Sequence, residues 1–522
     1  MFFGSCFCVM VVLLMELKKY FNQDNLFYVI SALLILVICV FQNWLYWPGY
    51  IQDDSQTTLL LDKSGWHPAI MAYLVEILHN LLGVHVYNLF LLTTVPFYIG
   101  LYIIVYSAYK KTNSLFSIFL IFPIFIGNVY YSIIKMGSSS FSISWSLLLY
   151  AMSFYMIVQF GKEKISKIFY VLYGIVFAIA LLSRLNAILH IWPVTFIWIA
   201  MLLSTEEYSF WGYVKRFIPL AIFSGFFCVI LFIGLNSILT KSDKGHVYPE
   251  TLVVMHQIVA ICAPEMDESC FNPDWWYGKW ATDPDRMKHL KEKYKYYKQD
   301  AEAFSLSYTA DPTFKFFTNL EGRYSKFFYA LRKYPKNYIE HVHFFYIDLW
   351  QFPPNFISPK AFTRKYTAKK MLRQIYIFHP ISERERSYFL SIANQIPDKE
   401  RSLYWNDTKD KIDFAVRENL LAFSLSVFVK ICFAMFFMGL LLFSIKRRNL
   451  LNAFLFSVSS AGILNWVIIP LFCPRLFIRY IEPAIICSVL ALGVFLIILY
   501  QNIPGAYVYI KNKIKPVSEK NK

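Results

Sequence analysis

The chain has 522 residues, of which 57% are hydrophobic, 19% aromatic and only 16% charged, and its formal net charge is +17. This balance excludes a soluble globular protein, because stretches near the ~20 apolar residues that cross a bilayer recur along the chain. Nucleic acid is excluded as the partner of the positive charge: many basic residues sit in short loops beside the apolar stretches, where membrane topology requires them. No low-complexity tail and no internal repeat is visible.

Residues 1–14 are apolar but short, and lack the basic leader and small-residue cleavage site of a signal peptide. The run Met15-Glu16-Leu17-Lys18-Lys19 reads as an ordinary start, so translation from Met15 is expected, a short extra span or interfacial segment being the other reading. The first span is expected over 26–47, with Lys18 and Lys19 holding the N-terminus inside. An outer loop over 48–86 follows, carrying an amphipathic helix over 68–82 that lies along the interface. Further spans are expected over 87–106, 115–134, 141–160, 168–182, 187–203 and 217–239. The third is interrupted by Pro123 and Gly127. The inside loops carry Lys110-Lys111, Lys162, Lys164, Lys167, Lys215 and Arg216.

The chain then leaves the membrane over 241–419, an outer region that is polar, aromatic and mainly helical in spacing. Cys262 and Cys270 lie there; an oxidising compartment permits a disulfide, while spacing alone is equally consistent with two free thiols. Spans over 420–445, 451–472 and 481–500 close the membrane domain, with Lys446-Arg447-Arg448 and the basic tail 504–522 inside. The expected fold is therefore all-α and polytopic. It has about ten transmembrane helices, both termini (1–25 and 504–522) cytoplasmic, membrane segments over 26–240 and 420–503, and a large extracytoplasmic region.

The chemistry-bearing stretch is the first outer loop, WPGYIQDDSQ followed by GWHPAIMAYL. The adjacent acids Asp53 and Asp54 stand at the mouth of a span, where carboxylates are costly unless they face water or a partner. The plain alternative is a solvated turn. Asp62, His67, Lys135, Arg184, Lys241, Arg475 and Arg479 all fall on the same predicted side. A carboxylate beside cations at a membrane surface suits removal of a proton from an acceptor hydroxyl while the cations stabilise a departing phosphate. Arg475 and Arg479, four apart in CPRLFIRYIEP, share a helical face. They read either as a phosphate grip or as interfacial anchors. Glu482 is a candidate partner for one of them, and Lys430 either snorkels or points to the same cavity. His67 reads more simply as a helix-start residue, and the aromatic residues of the outer region as packing.

The acidic first loop followed by an interfacial helix resembles the GT-C class of membrane glycosyltransferases, which use polyprenyl-phosphate sugars. Protein mannosyltransferases and aminoarabinose transferases belong to this class. HQIVAI (256–261) and YPKNYIEHVHFFYIDLWQFPP (334–354) resemble a bacterial branch of the same class. The resemblance implies a membrane glycosyltransferase acting on the outer face of the cytoplasmic membrane. Its donor would be a polyprenyl-phosphate-linked sugar and its acceptor a cell-envelope glycan, lipid or protein. It implies Asp54 as catalytic base, with Asp53 in reserve, and Arg475, Arg479, Lys135 and Arg184 as donor-phosphate contacts. His67, His256, Gln257 and Tyr338 are the substrate-contact candidates. A divalent cation, Mg or Mn, would have Asp53 and Asp54 as ligands. The chain departs from the class in its second outer loop, where Lys135-Met136-Gly137 and three serines stand in place of an acid. That weakens a metal bridging two loops. The alternatives are an O-antigen-type polymerase or ligase using diphosphate-linked glycans, and a lipid or glycan transporter, against which the absence of an inverted repeat counts.

Overall fold

Long apolar runs fold as helices in a bilayer because only intrahelical bonding satisfies every backbone N–H and C=O there. The computed structural model describes residues 23–46, 50–51, 63, 69–82, 86–162, 164–184, 186–204, 208–240, 249–297, 313–314, 319–351, 411–412, 415–416, 420–421, 423–445, 449–472 and 478–514. The first half contains α1 (Gln23–Tyr46), β1 (Tyr50–Ile51), α2 (Ile70–Leu82), α3 (Val86–Thr112), a 3-10 helix (Leu115–Phe125), α4 (Gly127–Ile133), β2 (Lys135–Met136), α5 (Ser138–Gln159), α6 (Lys167–Leu181), α7 (Ile188–Ile191), α8 (Val194–Leu203) and α9 (Phe210–Leu239). A polar unit follows with α10 (Pro249–Cys262), α11 (Arg286–Tyr297), α12 (Arg323–Lys333) and α13 (Pro335–Gln351). The chain closes with α14 (Leu425–Ile445), α15 (Leu450–Phe472) and α16 (Ile478–Ile514).

Among the described residues, seven helices are long and apolar enough to cross a membrane: α1, α3, α5, α9, α14, α15 and α16. The chain is a multi-pass membrane protein, almost entirely helical. The other three expected spans are not single long helices: two are interrupted at prolines, and one is continuous but short. Pro123 and Gly127 divide 115–134 into the 3-10 helix and α4. The backbone groups freed at that break are taken up by Leu421: Gly127 N–H donates to its carbonyl (2.9 Å), and its N–H donates to Phe125 O (3.0 Å). Helix α6 has only 15 residues, and Trp192-Pro193 separates α7 from α8.

Helix α5 is the hub. Its apolar window is 89% buried against other helices, whereas that of α9 is 11% buried and faces outward almost entirely. The approach of α3 to α5 depends on Gly100, where an added Cβ would lie 3.1 Å from Leu148 Cα and N. Helices α14, α15 and α16 pack on one another, α16 also meets α5, and α15 packs on α7 and α8.

The polar unit has its own core, built from Met255, Ile258, Trp275, Leu290, Phe314 and Ala330. Cys262 and Cys270 are disulfide-bonded within it. Asp267 ties its surface together, accepting from Lys333 (2.7 Å) and from the Tyr334 hydroxyl (3.1 Å). Burial raises the Asp267 carboxyl, but the hydrogen bonds from Lys333, Ser269 and Tyr334 outweigh it and bring the pKa down to about 2. The unit is fastened to the bundle through α13. Tyr338 and Tyr346 donate their hydroxyls to Leu471 O (3.4 Å) and Val467 O (2.8 Å) in the last turns of α15.

Candidate functional site

The loop after α1 and the loop before α5 meet in a parallel pairing. Tyr50 is opposite Lys135, and Ile51 is opposite Met136. Strand β1 ends two residues before Asp53, so the register brings the approach to the acid pair beside the approach to α5. Gly137 is the N-cap of α5 and offers no side-chain cap. Uncapped N–H groups make a helix N-terminus the positive end of its dipole.

The first turn of α5 is the run Ser138-Ser139-Ser140, all buried. Arg184, in the turn between α6 and α7, donates from Nη1 to the Ser139 hydroxyl. Its side chain is only 7% exposed. A guanidinium held inside a membrane bundle is costly and is kept where polar partners meet it. The Ser138 and Ser140 hydroxyls are buried with no hydrogen-bond partner among the described residues. Together these groups give the hub helix a buried end that carries three hydroxyls and a guanidinium.

One turn deeper, Ser142 Oγ lies 3.3 Å from Nε2 of the buried His190. Asn465 of α15 is beside the same imidazole, and the Tyr150 hydroxyl donates to the His190 carbonyl (2.7 Å). A small cavity is lined by His190, Ser146 and Tyr150 on one side and by Pro483, Ile486 and Cys487 of α16 on the other. Glu482, adjacent to Pro483, is buried as well. The polar side chains of α5, α7, α15 and α16 therefore converge at one end of an otherwise apolar bundle.

Of the residues singled out by sequence, Lys135 and Arg184 are brought to this end, Lys135 by its strand and Arg184 by its contact with Ser139. Arg479 lies in the first turn of α16, ahead of Glu482. Asp53, Asp54, His67 and Arg475 lie outside the described residues. Farther along the chain, Lys63 pairs with Glu76 of α2 (2.7 Å) and sits over the Tyr73 ring.

His256 and Gln257 belong to a different place, the core of the polar unit. The His256 ring packs 5.3 Å from that of His341, and the Tyr294 hydroxyl meets His341 Nδ1 at 2.7 Å. Gln257 is 2% exposed, and neither of its amide atoms has a partner among the described residues. The Tyr338 hydroxyl is engaged with Leu471 O, so its present contact is the one that docks the unit. Ser138, Ser140, His190 and Asn465 were not among the sequence candidates. Their signal is a polar residue inside an apolar helix, and a serine-rich span offers it only weakly, since serine also bonds its own helix. Ser144 and Ser146 do so here, donating to the carbonyls of Ser140 and Ser142.

Among the described residues, no three His, Cys, Asp or Glu side chains converge to hold a metal ion. The acid pair, the one proposed ligand set, is outside them. Comparison with protein-family models, with characterised proteins and with solved structures finds no match to this chain.

Proposed function

We propose that the chain is a GT-C-like glycosyltransferase that moves a sugar from a polyprenyl-phosphate donor to a cell-envelope acceptor. The single observation that carries this reading is the pairing of Tyr50-Ile51 with Lys135-Met136. It joins the approach to Asp53-Asp54 to the serine-lined, arginine-bearing end of α5. A base and an anion site on neighbouring segments are what glycosyl transfer with a phosphate leaving group requires.

In the proposed reaction, the acceptor hydroxyl forms a bond to the anomeric carbon while its proton passes to Asp54. The bond from that carbon to the phosphate oxygen breaks, and polyprenyl phosphate leaves with the electron pair. Arg184 and the first turn of α5 stabilise the charge gathering on that oxygen. Lys135, Arg475 and Arg479 are the further donor-phosphate contacts of this proposal. A single displacement inverts the anomeric centre, through a transition state of oxocarbenium character.

The same reading gives ten crossings. The interrupted segment 115–134 and the shorter helices α6 and α7–α8 would complete the seven long spans. Lys110-Lys111, Lys215-Arg216 and Lys446-Arg448 would face the cytoplasm, and the acid pair the outside. The Cys262–Cys270 bridge supports an oxidising outer compartment for the polar unit.

The test is transfer by purified protein in nanodiscs, offering radiolabelled polyprenyl-phosphate sugars and an envelope extract to wild type and Asp54→Asn, with and without chelator. Transfer by wild type that is lost in a folded Asp54→Asn supports the enzyme and its base. Full transfer by Asp54→Asn removes that role. Turnover of diphosphate-linked glycan alone would replace the reading with a polymerase.

A further inference from the structure

The polar unit meets the bundle at a definite height. Tyr346 bonds the carbonyl of Val467, inside the apolar window Leu450–Ile469 of α15, and Tyr338 bonds Leu471 just beyond that window. Helix α13 therefore runs beside the last two turns of α15, with Tyr338 nearest its end.

Two large apolar side chains are exposed near Tyr338. Ile339 follows Tyr338 directly and is 65% exposed. Phe328 is also 65% exposed. Its neighbour Phe327 packs on it at 5.5 Å and on Tyr338 at 6.1 Å. Tyr324, Phe328 and Arg332 are spaced by four on α12 and share one face. Tyr324 is half exposed, and Arg332 and Lys336 are exposed beside the two apolar side chains. Lys336 has only a loose contact with Glu340, at 3.8 Å. The result is an edge in which aromatic and aliphatic side chains alternate with cations, on the unit that α13 fastens to the end of a membrane span. The headgroup layer of a bilayer accepts that mixture, taking the rings and the aliphatic chain at the acyl boundary and the cations at lipid phosphates.

We infer that this edge of the polar unit, formed by Tyr324, Phe328, Arg332, Lys336 and Ile339, rests in the headgroup layer of the membrane that the bundle spans. The unit is thereby held against the bilayer at two places, through the tyrosines of α13 on α15 and through its own lipid contact. The inference is independent of the transferase reading, because it needs only the docking of α13 and the exposure of the edge.

The test uses the full chain in nanodiscs of phosphatidylcholine and phosphatidylglycerol. Phe328→Cys, Ile339→Cys and Tyr324→Cys are each labelled with an environment-sensitive fluorophore, with Lys288→Cys on the exposed side of α11 as the control and the labelled wild-type chain as background. The expected result is blue-shifted emission at 328 and 339 that is quenched by lipids carrying a headgroup-level nitroxide, with neither effect at 288. Arg332→Glu combined with Lys336→Glu should weaken the quenching at 339. Water-like emission without quenching at the three edge positions would overturn the inference. A blue shift that lipid nitroxides do not quench would overturn it too, since a protein surface would then cover the edge. The three edge positions are read independently, so one variant that fails to fold leaves the others to decide.

Discussion

Arg184 is the most direct point at which to test the chemistry assigned to the end of α5. Its guanidinium is buried and donates to Ser139. In Arg184→Gln the side chain keeps a polar amide but loses the positive charge and the length that brings Nη1 to that hydroxyl. If the charge meets the leaving phosphate, the loss falls on the transition state, where charge on the departing oxygen is greatest. A charge-assisted hydrogen bond contributes about 1.5–3 kcal/mol, and removing one preorganised donor from developing negative charge costs roughly 100- to 1,000-fold in kcat. The expected outcome is therefore a fall of about 100-fold or more in kcat, with the melting temperature in detergent close to wild type. Ser139→Ala, which removes only the positioning hydroxyl, should cost about tenfold, equivalent to ~1.4 kcal/mol. The assay is the initial rate of label transfer at saturating donor. Wild-type transfer by a folded Arg184→Gln protein would refute the reasoning. A collapse of stability in parallel with activity would show that the arginine holds the bundle together and has no part in the chemistry.

Two further outcomes follow from packing and from charge. Gly100→Val should destabilise the bundle by about 1–3 kcal/mol, because its Cβ would already lie 3.1 Å from the backbone of Leu148 and the added methyls crowd that contact further. Gly174→Ala on α6 has open space and should leave the melting temperature unchanged or raise it slightly. In the polar unit, Asp267 is held at a pKa of about 2, below the ordinary aspartate value of about 3.9. A depressed carboxyl contributes stability that is complete above the unfolded value and is lost as pH falls through the folded one. Wild type should therefore lose stability between about pH 4 and pH 2 on this account. Asp267→Asn should be less stable at neutral pH, by up to about 1 kcal/mol for a surface pair, and flatter across that window. Thermal melts at stepped pH measure both, and an unchanged acid profile in the variant would assign the loss to other carboxylates.

The membrane character and most of the helix positions were legible in the sequence for a simple physical reason. An apolar run of sufficient length has one stable state in a bilayer, and the basic loops mark its ends. Helices α1, α3, α5, α9, α14, α15 and α16 all lie close to the expected spans. The breaks in two of the remaining three were also written locally, in Pro123, Gly127 and Pro193. The pairing of Cys262 with Cys270 was not, because spacing permits a bridge without requiring one.

Which helix occupies the centre could not be read from hydropathy. The most buried span, α5, has a mean hydropathy of 1.6, and the least buried, α9, has 2.5. In a bilayer the lipid is as apolar as leucine, so apolarity gives no preference for the interior. Close packing and polar contacts decide instead, and these favour the serine-rich helix. His256 and Gln257 read as candidate substrate contacts because a lone polar residue carries no mark of what will cover it, and the packing of α10 against α11, α12 and α13 encloses them. The site itself is non-local in the same way. Nothing in PGYI or IIKMG announces that these segments will pair, or that Arg184 will reach Ser139, since strand registry and buried contacts between distant segments exist only once the helices have packed. The sequence by itself determined the number and kind of residues available for chemistry at the membrane surface. Tertiary structure alone decided which of them share a place.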